Sequence, residues 1–371
     1  MNRKIISASA VLAGTVIGVG LFSLPYIASK VGILLMALYF VAIGGVSLLI
    51  HLFFGEISLK APDFKRLPGF AKIYLGAKAE KISMFSVIFG LSGAILAYLI
   101  VGGEFMSDLL SPYFGQSQLF YTLVYFIIGS ALVYFGIKAI AKIEFWAIVL
   151  FIFALGAMFF KAGQQEIMHI GNLLPEFNLK DVFLPYGAVL FSFWGISVIP
   201  EMEEMLGRDK TQLKKGILAG MLASIIISFL FVFLILGITG PSTSPSALPG
   251  LKDFFKGWTI VLALLFGLAA TFTSFVTLGL TLKKVFWYDL GIKEKASWLL
   301  SCFPPLVLFF LGMKNFIGVI SFVGGVMIGI DGIMVMLIYQ RIKKGKSRLV
   351  TYPLIFLLFS GIVYEIIYFL K

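Results

Sequence analysis

Two apolar stretches of this 371-residue chain are interrupted by glycine, small polar residues and proline: Gly14-Thr-Val-Ile-Gly-Val-Gly-Leu-Phe-Ser-Leu-Pro25 and Phe191-Ser-Phe-Trp-Gly-Ile-Ser-Val-Ile-Pro200. Neither carries a charged side chain, a nucleophile–base pair or a metal-ligand spacing, so what they offer is non-covalent binding through exposed backbone. Gly14, Gly18 and Gly20 lack side chains that would hold a ligand off the main chain, and Pro25 suits the first turn of a restarted helix. The N–H groups and positive dipole end of that restart favour an anion such as a carboxylate. In the second stretch the helix restarts near Ser197 to Pro200, and the carbonyls of Phe191, Ser192 and Phe193, released where its first half ends, suit an ammonium group. A zwitterion lying across both breaks would satisfy both sets. The expected site is Gly14, Thr15, Ile17, Gly18, Val19 and Gly20 from the first break and Phe191, Ser192, Phe193, Trp194 and Ile196 from the second, with Tyr98. Phe22 and Phe272 or Phe275 are further candidates for its apolar wall. With no charge at the breaks, the ligand's remainder should be apolar.

Such breaks imply helices in a membrane. The chain is 60% hydrophobic and 13% charged, with a mean hydropathy of +1.03, which excludes a soluble globule with a polar shell. Eleven spans are expected: Ile5–Ala28, Val31–Ser58, Ile82–Leu110, Gln118–Ile137, Ile143–Phe160, Val182–Glu204, Gly216–Ile238, Gly257–Leu282, Ala296–Leu311, Phe316–Tyr339 and Thr351–Leu370. Most reach the roughly 20 residues that cross a core about 30 Å thick. The ninth is short and holds Pro304-Pro305. With the N-terminus inside, 23 of the 30 basic residues fall on the cytoplasmic side, so the +12 net charge is a topology signal rather than a nucleic-acid footprint. The C-terminus is then outside. The basic start and small residues near Met1 resemble a secretory signal, but the apolar run outlasts a signal core and contains the first break. Cys302, the single cysteine, is read as an inert apolar side chain. Polar stretches at Lys60–Lys81 and Lys161–Asp181, and the turn-rich Gly240–Gly250, join spans of one membrane domain, residues 1–371.

Hydrocarbon leaves an interrupted helix without hydrogen-bond partners, so breaks persist only where protein or a polar cavity supplies them. Either stretch alone reads first as a packing or kink feature. Two of them, in spans one and six, become equivalent positions if residues 5–163 and 182–340 form an inverted repeat with 351–370 as an extra helix, and equivalent breaks mark a transport site. An enzyme is not expected: His51 and His169, the two histidines, are far apart, and no phosphate-binding loop occurs. A channel would need a continuous polar path, typically with rings of charge.

The first stretch, Ala97-Tyr-Leu-Ile-Val-Gly-Gly-Glu104 in the third span and Phe191-Ser-Phe with Pro200 together resemble the amino acid/polyamine/organocation superfamily. The nearest members are the amino acid/auxin permeases, which include aromatic amino acid permeases and sodium-coupled neutral amino acid transporters. The resemblance implies an all-α, leucine-transporter-like fold of five plus five inverted helices and one more, in the cell (inner) membrane. It implies alternating access by rocking of helices one, two, six and seven, and neutral amino acids as substrates, aromatic or branched ones preferred. No cofactor, nucleic acid or obligate protein partner is expected; the partners are the amino acid and the lipid bilayer.

For the coupling ion, Thr273 and Ser274 set adjacent hydroxyls near the Ala270 carbonyl, hard oxygen donors suited to sodium. Thr273 lies about 15 residues, or roughly 22 Å, from the outer end of its helix. In transporters of this resemblance such a pair joins first-helix carbonyls, which here would be Gly14 and Ile17. The same hydroxyls also read as back-bonded to their own helix. Protons are the competing ion. No lysine lies at the centre of the fifth span, only Lys142 and Lys161 at its flanks, but Asp331, Glu104 and Glu365 fall inside spans, where carboxylates are costly and by default functional. Glu56, Glu201, Glu203 and Glu204 at inner span ends are expected to pair with nearby lysines.

Overall fold

In the computed structural model, which describes residues 3–60, 65–136, 140–175 and 178–370, the expected spans fall mainly on helix, interrupted at 17–18 and 193–195, and no strand occurs among the described residues. Ile137, the expected end of the fourth span, the basic residues Lys138 and Lys371, and the Lys142 side chain lie outside that description. The helices are α1 (Arg3–Val16), α2 (Val19–Lys60), α3 (Leu67–Leu75), α4 (Ala77–Phe114), α5 (Gln118–Phe135), α6 (Ile140–Gln165), α7 (Pro185–Ser192), α8 (Ile199–Met205), α9 (Lys210–Thr239), α10 (Trp258–Lys284), α11 (Glu294–Phe310), α12 (Phe316–Phe322), α13 (Gly329–Ile342) and α14 (Arg348–Leu370). Among the described residues eight helical stretches are long and apolar enough to cross a membrane. Side chains such as Leu38, Val41, Ile226 and Phe356 are exposed to the surroundings, as a bundle solvated by lipid requires.

Local chemistry sets where helices stop. Ser117 caps α5 by accepting the Phe120 N–H, and Gly136 ends that helix in the left-handed conformation. Asp209 caps α9 through the Thr211 and Gln212 N–H groups. The Gln212 backbone bond, then its side chain, holds the Asp209 carboxyl below the usual carboxylate range. Helix α2 runs 42 residues, about 63 Å and twice the thickness of the apolar core. It joins the outer part of the first span to the second without a loop, turning at Gly32, whose φ of 79° is open to glycine and strained for other residues. The expected polar loop Lys60–Lys81 instead contains α3, opened by Pro68, with Phe70 buried edge-on against Phe54. The tenth span, expected as one helix, widens into a π turn at Val323–Ile328. There Gly324 approaches the Gly187 backbone and Gly325 the Glu365 side chain.

Packing separates two groups. Helices α1 and α2 lie on α9, and α2 on α7 and α8, whereas α10 lies on α4, α5, α6 and α11. Between them, on the expected outer side of the breaks, Phe22 meets Phe105, Phe231 and Phe266 at ring separations of 5.0, 6.0 and 5.7 Å, and Phe151 stacks on Phe266 at 4.2 Å. All five rings are buried. The turn-rich segment Gly240–Gly250 and the residues after it also fold inward, with Ala247, Leu248, Leu251 and Phe255 buried and Leu248 set against Gly267.

Candidate functional site

Helix α1 ends at Val16 and the chain restarts at Val19, six residues before Pro25, which therefore lies inside α2 rather than at its first turn. Tyr98 from α4 fixes that restart: its hydroxyl accepts the Val19 N–H at 3.2 Å, supplying a partner to one of the donors that a helix start leaves unpaired. A Cβ on Gly18 would overlap the same hydroxyl. Tyr98, expected as a wall of an apolar pocket, is thus also the cap of the first break.

The second break is held from α2. Ser47 Oγ donates to the Phe193 carbonyl at 2.5 Å, and the Gly195 N–H donates to His51 Nε2 at 2.9 Å. The Phe191 carbonyl accepts the Trp194 N–H at 3.3 Å. Two of the three carbonyls expected for an ammonium group are therefore engaged by the protein. The Phe193 ring is a second correction: it is fully buried, 5.0 Å from Phe40 and edge-on to it. Ser47 and His51 were not singled out as functional; their one signal in the sequence is polar residues one turn apart on an otherwise apolar span.

The two breaks touch, since Gly20 lies against Ser192 and Phe191. Beside that contact opens a cavity of about 150 Å³ whose wall includes Thr15, Gly18, Gly20, Tyr98, Phe191, Ser192, Trp194 and Ile196. Its wall also includes Ser197, Ser274 and Thr277, Ser86 and Asp331, and Arg66, Pro68 and Val285. Gly14, Ile17, Val19 and Phe193 are not on its wall; Ile17, Val19 and Phe193 are core residues. Phe22 belongs to the aromatic cluster above the breaks, while Phe272 and Phe275 pack on Tyr125 at 5.4 and 5.5 Å.

Of the expected sodium ligands, Ser274 faces the cavity, while the buried Thr273 hydroxyl donates to the Ala270 carbonyl at 3.2 Å. Gly14 and Ile17 lie at the end of α1, whose main neighbours are α9, α6 and α8. Asp331 accepts from Ser86 Oγ at 2.5 Å, and both face the cavity. Glu56 joins Lys210 and Lys343 at 2.9 Å each. The hydrogen bond that Lys343 Nζ donates to the Glu56 carboxylate holds the Lys343 ammonium above its ordinary pKa. Glu203 pairs with Arg208 at 2.8 Å and accepts from Ser58, and Glu201 lies 3.7 Å from Arg66, so arginines take two of the places expected for lysines. Among the described residues no group of three or more His, Cys, Asp or Glu side chains could hold a metal ion.

This architecture matches solved structures along nearly its whole length. MhsT in complex with L-phenylalanine aligns with a TM-score of 0.67 at 18% identity, covering 99% of this chain and 98% of that one. Mhp1, a nucleobase-cation-symport-1 family transporter in a closed conformation with bromovinylhydantoin bound, gives 0.67 at 12% identity over 97% and 91%. Mhp1 in its inward-facing conformation gives 0.60 at 14% over 90% and 76%. At these identities the likeness shows a shared fold, the leucine-transporter-like arrangement that the sequence motifs imply. By sequence the chain is 23% identical over 219 residues to tyrosine-specific transport system 1 of Haemophilus influenzae, covering 58% of this chain. It spans about half, 53%, of that relative. The tryptophan/tyrosine permease family model matches residues 1–367, and the chain belongs to that family.

Proposed function

We propose that this protein is a secondary active transporter of aromatic amino acids, working by alternating access in the cell (inner) membrane. Membership of a permease family makes it a multi-pass membrane protein and not an enzyme. The observation that carries the reading is the cavity where the two helix breaks meet, walled by backbone, Tyr98, Phe191 and Trp194, with no charged side chain at the breaks. With the Gly18 and Val19 N–H groups bonded to the Val16 carbonyl and the Tyr98 hydroxyl, a carboxylate is received at the restart of α2 beside Gly20, and the aromatic side chain lies among the apolar residues. Engagement of the Phe193 carbonyl by Ser47 leaves Ser192 and backbone on the α1 side to meet the ammonium group. Within this reading the chain crosses eleven times, N-terminus inside and C-terminus outside, with residues 5–163 and 182–340 as inverted repeats and 351–370 as the added helix. In this reading the family stands beside the amino acid/auxin permeases in one superfamily. Only the amino acid and the bilayer are needed as partners.

Orientation then gives the structure a state. The aromatic cluster closes the breaks from outside, while the cavity runs to Arg66 and Pro68, so the site faces the cytoplasm. The first, second, sixth and seventh spans, whose helices α1, α2, α7, α8 and α9 pack as a group, rock against α4 and α10 to reverse that access. Sodium is the proposed coupling ion, held by Thr273, Ser274 and the Ala270 carbonyl with Gly14 and Ile17. Ion and substrate favour one another's state by about 1–3 kcal/mol if the coupling is typical. A second reading, proton coupling, is favoured by one observation: Asp331 faces the cavity with a hydroxyl as its hydrogen-bond partner.

Uptake of a panel of radiolabelled amino acids into proteoliposomes, under separately imposed sodium and proton gradients, tests the proposal. Accumulation of tryptophan, tyrosine or phenylalanine on the sodium gradient supports it. Accumulation only on the proton gradient transfers the coupling to Asp331, and no amino acid uptake under either removes the substrate class. Tyr98→Phe leaves the Val19 N–H without its acceptor, a loss worth about 1–3 kcal/mol in a buried setting. The expected result is a KM raised about tenfold with unchanged folded yield; an unchanged KM would take Tyr98 out of the site.

A further inference from the structure

The second break is held by two side chains from the second span, in the later part of α2. Ser47 and His51 stand one turn apart on α2, both fully buried, and together they take one carbonyl and one N–H across the interruption. Ser47 Oγ donates to the Phe193 carbonyl at 2.5 Å. Just beyond it along the chain, the Gly195 N–H donates to His51 Nε2 at 2.9 Å. The remaining ring nitrogen, Nδ1, lies 2.7 Å from the Ser47 carbonyl. A carbonyl accepts only, so Nδ1 carries the hydrogen; a backbone N–H donates only, so Nε2 carries a lone pair. Both contacts therefore require the neutral ring in its Nδ1–H form, and a hydrogen on Nε2 would point at the Gly195 N–H.

We propose that Ser47 and His51 are positioning residues for substrate binding, a clamp that holds the second break in its binding shape and ties α2 to the sixth span. The inference rests on the reading of the breaks as the amino acid site. The bonds they make lie at each end of the Phe193–Gly195 segment, directly after Phe191 and Ser192 and around Trp194, which face the cavity. Gly195 is also set against Val16 and Leu12, so that a Cβ there would meet both at under 3 Å and His51 Nε2 at 3.5 Å. Held by the clamp and packed against the end of α1, the segment has little room to move. The same geometry makes α2 and the two halves of the sixth span move together when access reverses.

The test uses the whole chain. With His51 and His169 as the two histidines, ¹⁵N-histidine labelling gives two imidazoles, and His169→Asn assigns the second. The expected spectrum shows His51 as the neutral Nδ1–H tautomer; an Nε2–H tautomer overturns the clamp. In parallel, initial uptake and equilibrium binding of tryptophan and tyrosine are measured per folded protein. His51→Leu and Ser47→Ala should each raise KM and Kd ten- to a hundredfold, the loss expected when a buried backbone group is left unpaired. His51→Gln, which keeps a donor and an acceptor, should recover part of that loss. Equal KM in the wild type and His51→Leu, at equal thermal stability, would reduce the pair to ordinary packing and overturn the proposal. Should His51→Leu fail to fold, Ser47→Ala decides by the same criterion. If the wild type binds neither amino acid, the functional reading fails, and the tautomer still decides whether the clamp exists.

Discussion

Gly20→Ala is expected to cut initial uptake about a hundredfold while the protein still folds. A Cβ at position 20 would stand 2.9 Å from both the Ser192 Cα and Phe191 Cδ1. The first of these is backbone and cannot rotate away, so the two breaks must separate by a fraction of an ångström or more. Displacements of about 1 Å in a positioned site cost on the order of a hundredfold in rate, and the added strain in packing is about 1–3 kcal/mol. Gly45→Ala is the matched control. It sits in the same helix, α2, and its Cβ would meet nothing within 4 Å, so uptake should be unchanged and stability equal or slightly higher. Equal rates in the two variants would show that the contact between the breaks is not the substrate site.

Thr273→Ala should raise the sodium concentration for half-maximal uptake at least tenfold, and Ser274→Ala by a similar factor, because each removes one hard oxygen from a small ligand set. Neither should change the substrate dependence at saturating sodium. Asp331→Asn, by contrast, is expected to leave sodium dependence intact: its carboxylate is turned to Ser86, on the cavity wall toward Arg66. The opposite pattern is equally sharp. An Asp331→Asn protein that exchanges substrate across the membrane but no longer accumulates it, beside a fully active Thr273→Ala protein, would make the proton the driving ion.

How much of the fold and the site was readable from residue types depended on whether the cause was local. Glycine and proline mark the breaks near Gly18 and Gly195 because they interrupt a helix through their own backbone chemistry, one by its freedom and the other by its missing N–H. The restart at Val19 rather than Pro25 was not legible, since it depends on a hydroxyl 79 positions away. Proline at 25 is compatible with either register, and only the Tyr98 cap selects one. Likewise Ser47 and His51 look like stray polar residues in an apolar run until the sixth span is laid beside them. Helix α3 hides in a basic stretch because burial of Phe70 against Phe54, a tertiary contact, supplies what its nine residues cannot supply alone. The π turn at Val323–Ile328 answers to the close approach of Gly324 to Gly187, again a partner distant in sequence.

The cluster of Phe22, Phe105, Phe151, Phe231 and Phe266 has a thermodynamic consequence. In the proposed cycle, opening the outer side parts these rings and brings water to apolar surface, which raises heat capacity by about 0.45 cal/K/mol for each Å² exposed. The balance between the two faces of the protein is then curved in temperature rather than linear. Cooling weakens the hydrophobic force that keeps the rings together, so the outward population grows in the cold. The apparent affinity for substrate added from outside should accordingly follow a bent van't Hoff plot.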